Sequence, residues 1–99
     1  MSALANGRTT IYTRPFQQLS RQAARLGFKL LFCHEAELRQ VSVRLEPETD
    51  HALQAIKRAG GPETDGIEVA ARYSLTDDHI GLGVHCAEVA IGMAKDALA

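Results

Sequence analysis

Ninety-nine residues, 45% of them hydrophobic, bound the chain to one domain built around one core of about two layers. Eleven lysines and arginines against twelve acidic residues give a formal charge of -1, without the cationic excess that points by default to nucleic acid or a membrane surface. No run approaches the roughly 20 apolar residues of a membrane span, Met1 to Thr10 has no apolar stretch of signal-peptide length, and Cys33 and Cys86 lack C-x-x-C spacing, so the reading is a cytoplasmic chain with reduced thiols.

Residues 1–8 read as a flexible N-terminus and 9–99 as a single α+β domain. Thr9 to Thr13 is β-branched and aromatic, which predicts a short strand, and Arg14-Pro15 opens a helix in which Phe16, Leu19, Ala23 and Leu26 share a face. Gly27 stops that helix. Phe28 to Cys33 is rich in strand formers, and Val41, Val43 and Leu45 alternate with Ser42 and Arg44, so the short charged link His34 to Glu37 predicts a hairpin. Pro47 is expected to open a second helix with Ala52, Leu53, Ile56 and Ala59 inward, ended by Gly60-Gly61-Pro62.

Ile67, Val69, Ala71, Tyr73 and Leu75 occupy alternate positions, which favours a strand, although Ile67, Ala71 and Leu75 also fit one side of a helix. Thr76-Asp77-Asp78 then caps a terminal helix over residues 77–98. The order suggests a ferredoxin-like βαββαβ sandwich with an additional C-terminal helix. The helices would cover one sheet face, and the other would show Ser42, Arg44, Glu68, Arg72 and Lys29.

The terminal helix carries two apolar stripes on nearly opposite sides: Ile80, Val84, Ala87, Ile91, Ala94 and Leu98 on one, and Leu82, Cys86, Val89 and Met93 on the other. A helix apolar almost all round must be covered on both sides. The longer stripe is expected to pack on its own domain, which assigns Leu82, Cys86, Val89 and Met93 to an interface, most simply with a second copy in a dimer.

Chemistry is sparsely signalled. Cys33-His34 and His85-Cys86 have ligand types that suit zinc, and a metal-binding protein is one alternative, but neighbouring strand residues point to opposite faces and cannot readily share an ion. A thiolate paired with imidazole could act as a nucleophile, yet no oxyanion loop or orienting group accompanies either cysteine. The sequence therefore assigns no catalytic residue, metal or cofactor. Lys29, Arg44 and Arg72 could place positive charge on the open sheet face, as a contact for an anion or an acidic partner. Gly81, Gly83 and Gly92 would let another backbone approach the terminal helix closely.

Two resemblances bear on function. Gln40 to Pro47 followed by the helix to Ala59 resembles the strand and first helix of ribbon-helix-helix DNA-binding proteins, which would place Ser42 and Arg44 in a DNA groove and require a helix at Ile67 to Leu75. The order from Ile11-Tyr12-Thr13-Arg14-Pro15-Phe16 through Val41 to Ala59 and the Ile67 strand is similar to small trimeric PII-like signalling proteins, which implies a regulatory module with ligands in subunit clefts. Here the link His34 to Arg39 is shorter than that family's effector loop, and the terminal helix is an addition. The reading that best fits the residues is a small self-associating binding or regulatory module, for a protein partner or small ligand, with no chemistry of its own. A ribbon-helix-helix DNA-binding regulator is the alternative.

Overall fold

A computed structural model describes residues 8–9 and 14–99. The elements run β1 (Arg8–Thr9), α1 (Arg14–Arg25), β2 (Phe28–Glu35), β3 (Gln40–Pro47), α2 (Asp50–Gly60), β4 (Ile67–Arg72) and α3 (His79–Leu98). The chain is α+β. Of the expected first strand, Thr9 lies in β1 and residues 10–13 lie outside the described residues, as do residues 1–7 of the expected flexible terminus.

Local chemistry sets the boundaries. Gly27 follows α1 with φ 92°, a left-handed conformation that glycine adopts without a side-chain penalty, and its carbonyl accepts from the Glu48 N–H at 2.7 Å. Pro47 closes β3 and does not open α2 as expected: Thr49 is the cap, its hydroxyl accepting from the Ala52 N–H at 3.0 Å. Asp78 caps α3 in the same manner, accepting from the Ile80 N–H at 3.1 Å. β2 and β3 are joined through a single 3-10 turn, Ala36–Leu38, after which Arg39 takes φ 50°. β4 is shorter than the alternation suggested, because Ser74 turns back on Asp77 and leaves Leu75 78% exposed.

All strands pair antiparallel, in the spatial order β1-β2-β3-β4. This corrects the ferredoxin-like expectation. That fold inserts its first strand between the third and fourth, whereas here β1 stands outside β2, β3 lies beside β4, and each strand neighbours its successor in sequence. The likeness to PII-like proteins falls with that order. Because β4 is a strand, the helix required for a ribbon-helix-helix motif is also missing.

Among the described residues the three α-helices lie on one face, α3 over β3 and β4 with α1 and α2 packed against it. Phe28, Phe32, Val41, Val43, Leu45 and Ile67 from the sheet meet Phe16, Leu19, Ala23, Ala52 and Ile56 in one core. From α3 that core receives Cys86, Ala87, Ala90, Ile91 and Ala94. The innermost line of α3 is therefore small: Gly83, Ala87, Ala90 and Ala94. A Cβ on residue 83 would overlap the Phe32 ring, which in turn meets Phe16 edge-on at 5.7 Å. Gly92, by contrast, is exposed and has nothing within 4 Å of where its Cβ would stand.

Opposite effects follow for the same substitution at two glycines of one helix. Gly83→Ala is expected to destabilise by about 1–3 kcal/mol, because the buried Phe32 ring cannot yield without disturbing Phe16. Gly92→Ala should stabilise by up to about 1 kcal/mol through helix propensity alone. Urea unfolding of both variants beside the parent protein checks the pair.

Candidate functional site

The sheet face away from the helices carries Lys29, Leu31, Cys33 and Glu35 from β2, Ser42, Arg44 and Glu46 from β3, and Glu68, Ala70 and Arg72 from β4. Lys29, Arg44 and Arg72 share this face, as expected, but do not converge. Lys29 stands opposite Glu46 and Arg72 opposite Gln40, six residues apart along β3 and so about 20 Å from one another. Arg44 is engaged: its guanidinium contacts Glu46 at 3.3 Å and Asp65 at 3.0 Å, and it holds the Asp65 carboxyl below its ordinary range. Ser42 is buried between Cys33 and Ala70, and with Leu31, Cys33, Glu35, Arg44 and Glu68 it lines an open cavity of about 240 Å³ on this face.

The cysteines and histidines do not assemble either. Cys33 lies on the open face and His34 on the helical one, while His85 is exposed and Cys86 is 2% exposed within the core, where burial raises its thiol pKa. Among the described residues no three metal-ligating side chains cluster. A grouping that the sequence did not indicate forms instead at one end of the helical face. His34 stacks on His79 with ring centroids 4.3 Å apart, and its Nε2 is hydrogen-bonded to the Tyr73 hydroxyl at 2.5 Å. Tyr73 and His79 lie 39 and 45 positions beyond His34 in sequence, so only the strand register and the entry of α3 bring them together. Burial and the neighbouring His79 both lower the His34 pKa.

Of the four residues assigned to an interface, Cys86 is enclosed by the chain's own core and is closed to a partner. Leu82 is half-buried, Val89 is 41% exposed and Met93 is 47% exposed. The longer stripe packs inward only in part, through Ala87, Ile91 and Ala94, while Ile80, Val84 and Leu98 are half-buried. The two stripes are thus flanks of one inward line of small residues. Met93 and Ala97 line a groove of about 250 Å³ with Ile56 and Ala59 of α2 and Ile67 and Glu68 of β4, which puts Met93 on the β4 side, and at about 100° per residue Leu82 and Val89 share its flank of the helix.

That side is also an open strand edge. Among the described residues no strand pairs with the outer edge of β4. The Tyr73 N–H donates to the Arg39 carbonyl at 2.9 Å, one step beyond the Gln40–Arg72 pair. Since alternate residues of an antiparallel strand direct both backbone groups to the same neighbour, Ile67, Val69 and Ala71 serve β3, and Glu68, Ala70 and Arg72 present theirs outward. Val69 and Ala71 are only half-buried under α3, so the apolar flank and the free edge are continuous. Comparison with protein-family models, with curated proteins and with solved structures found no match.

The His34 cluster predicts an acid sensitivity. Its folded pKa lies below the ordinary 6.5, so the unfolded chain takes up the proton first and stability falls as pH drops through and below that value. The thermal midpoint should decline between about pH 7.5 and about pH 5.5, and the decline should shrink in His34→Phe. Equal slopes in the two proteins would contradict this.

Proposed function

We propose that the protein is a small self-associating binding module whose first partner is a second copy of itself. The observation that supports this most directly is the α3 flank. Glycine and alanine fill the inward line of α3, and on the flank beside it the apolar surface continues from half-buried Leu82 out to solvent at Val89 and Met93. Among the described residues the cations of the open sheet face do not converge, because Arg44 is held by Glu46 and Asp65 while Lys29 and Arg72 stand far apart. Recognition through apolar contact and backbone pairing therefore fits the surface better than recognition of an anion, and better than catalysis.

Multi-angle light scattering at micromolar concentration should report a dimer. Val89→Asp or Met93→Asp, each placing a carboxylate in the buried contact, should weaken the dimer roughly tenfold or more while leaving the far-ultraviolet circular dichroism unchanged. A parent protein that stays monomeric across that range rules the proposal out.

A further inference from the structure

We infer that two copies join edge to edge through β4, in the one register centred on Ala70, extending the sheet across a two-fold axis and packing α3 against its counterpart. The inference rests on the self-association proposed above and adds its geometry. Unpaired strand edges are commonly blunted by lysine, proline or a bulge. β4 reads Ile67-Glu68-Val69-Ala70-Ala71-Arg72, with no lysine or proline and with an alanine at the centre of its outward-directed backbone groups.

A two-fold axis normal to the sheet keeps both helical layers on the same side and sets residues of the same face opposite each other, so it must lie midway between one β4 residue and the same residue of the partner copy. Centred on Glu68 or Arg72 it opposes like charges, and centred on Val69 or Ala71 it leaves both charges without a counterpart. Centred on Ala70 it sets Glu68 of each copy opposite Arg72 of the other, twice, with Val69 opposite Ala71 on the helical face. Among the described residues neither Glu68 nor Arg72 has an ion pair within its own chain. Because Glu68, Ala70 and Arg72 are the residues whose N–H and C=O groups face outward, this register also closes the backbone hydrogen bonds at all three positions.

The helices agree with the strands. α3 lies over β3 and β4, and strands are spaced about 4.8 Å apart, so the two-fold axis beside β4 brings the two α3 axes to about 10 Å. Packed helices stand roughly 8–10 Å apart. Leu82, Val89 and Met93 are on the flank that faces the axis, and the half-buried Val69 and Ala71 complete the floor beneath them.

Sedimentation equilibrium of charge-exchanged variants tests the register. Glu68→Arg and Arg72→Glu each oppose like charges at two places and should raise the dimer dissociation constant about tenfold or more, and the double variant should restore it. In the parent protein, amide exchange at Ala70 should slow as concentration rises, whereas Val69 and Ala71, bonded to β3, should stay protected throughout. A dimer whose affinity ignores both exchanges, and whose Ala70 amide exchanges freely, overturns edge pairing and leaves self-association standing through another surface. A chain that remains monomeric at every concentration overturns both.

Discussion

The seating of Gly83 on the Phe32 ring governs the arrangement of this fold. Phe32 is 2% exposed, stands on the middle strand pair and takes Phe16 of α1 edge-on, so it joins the sheet to one helix before α3 is placed. Only a residue without a side chain can cross it at that distance. Ala87, Ala90 and Ala94 then keep the rest of α3 equally close to the sheet. Such an approach loses little side-chain entropy and exposes little void, but it draws modest apolar area from the helix itself. The larger side chains are left to the two flanks.

That division explains why α3 reads as apolar almost all round. α1 and α2 both pack against α3, and Met93 and Ala97 share a groove with Ile56 and Ala59 of α2 that opens beside Ile67 and Glu68 of β4. That α3 carries apolar residues on two sides was legible in the residue periodicity, but the direction of inward was not. Cys86 seemed to belong with Val89 and Met93 by angle and lies instead in the core, because the small residues between the stripes carry no hydrophobic signal strong enough to mark them as the centre.

Local chemistry was otherwise easy to read. The alternation of Val41, Val43 and Leu45, the Gly27 stop and the Asp78 cap all depend on interactions within a few residues, and each appears where the pattern placed it. Strand order was not legible. Whether β1 joins the edge or the middle of the sheet turns on contacts tens of residues apart, and α+β sequences of this element order are compatible with both. The meeting of His34, Tyr73 and His79 was hidden for the same reason. The α2 start was misplaced because Pro47 suits a strand end as well as a helix start, and Thr49, two residues on, offered the better cap.

Strand order is also what connects the fold to the partner proposed for it. Had β1 been inserted beside β4, the outward N–H and C=O groups of Glu68, Ala70 and Arg72 would be satisfied within the chain, and Val69 and Ala71 would be covered by a neighbouring strand and helix. With β1 at the far side, beyond β2, the helical layer ends over β4 with an apolar flank, and among the described residues the sheet ends there with an unpaired edge. A helical flank alone could receive many partners, and a strand edge alone would invite indiscriminate pairing. Their coincidence on one side of the molecule, with Glu68 and Arg72 spaced symmetrically about Ala70, is the basis of the proposed pairing with a second copy.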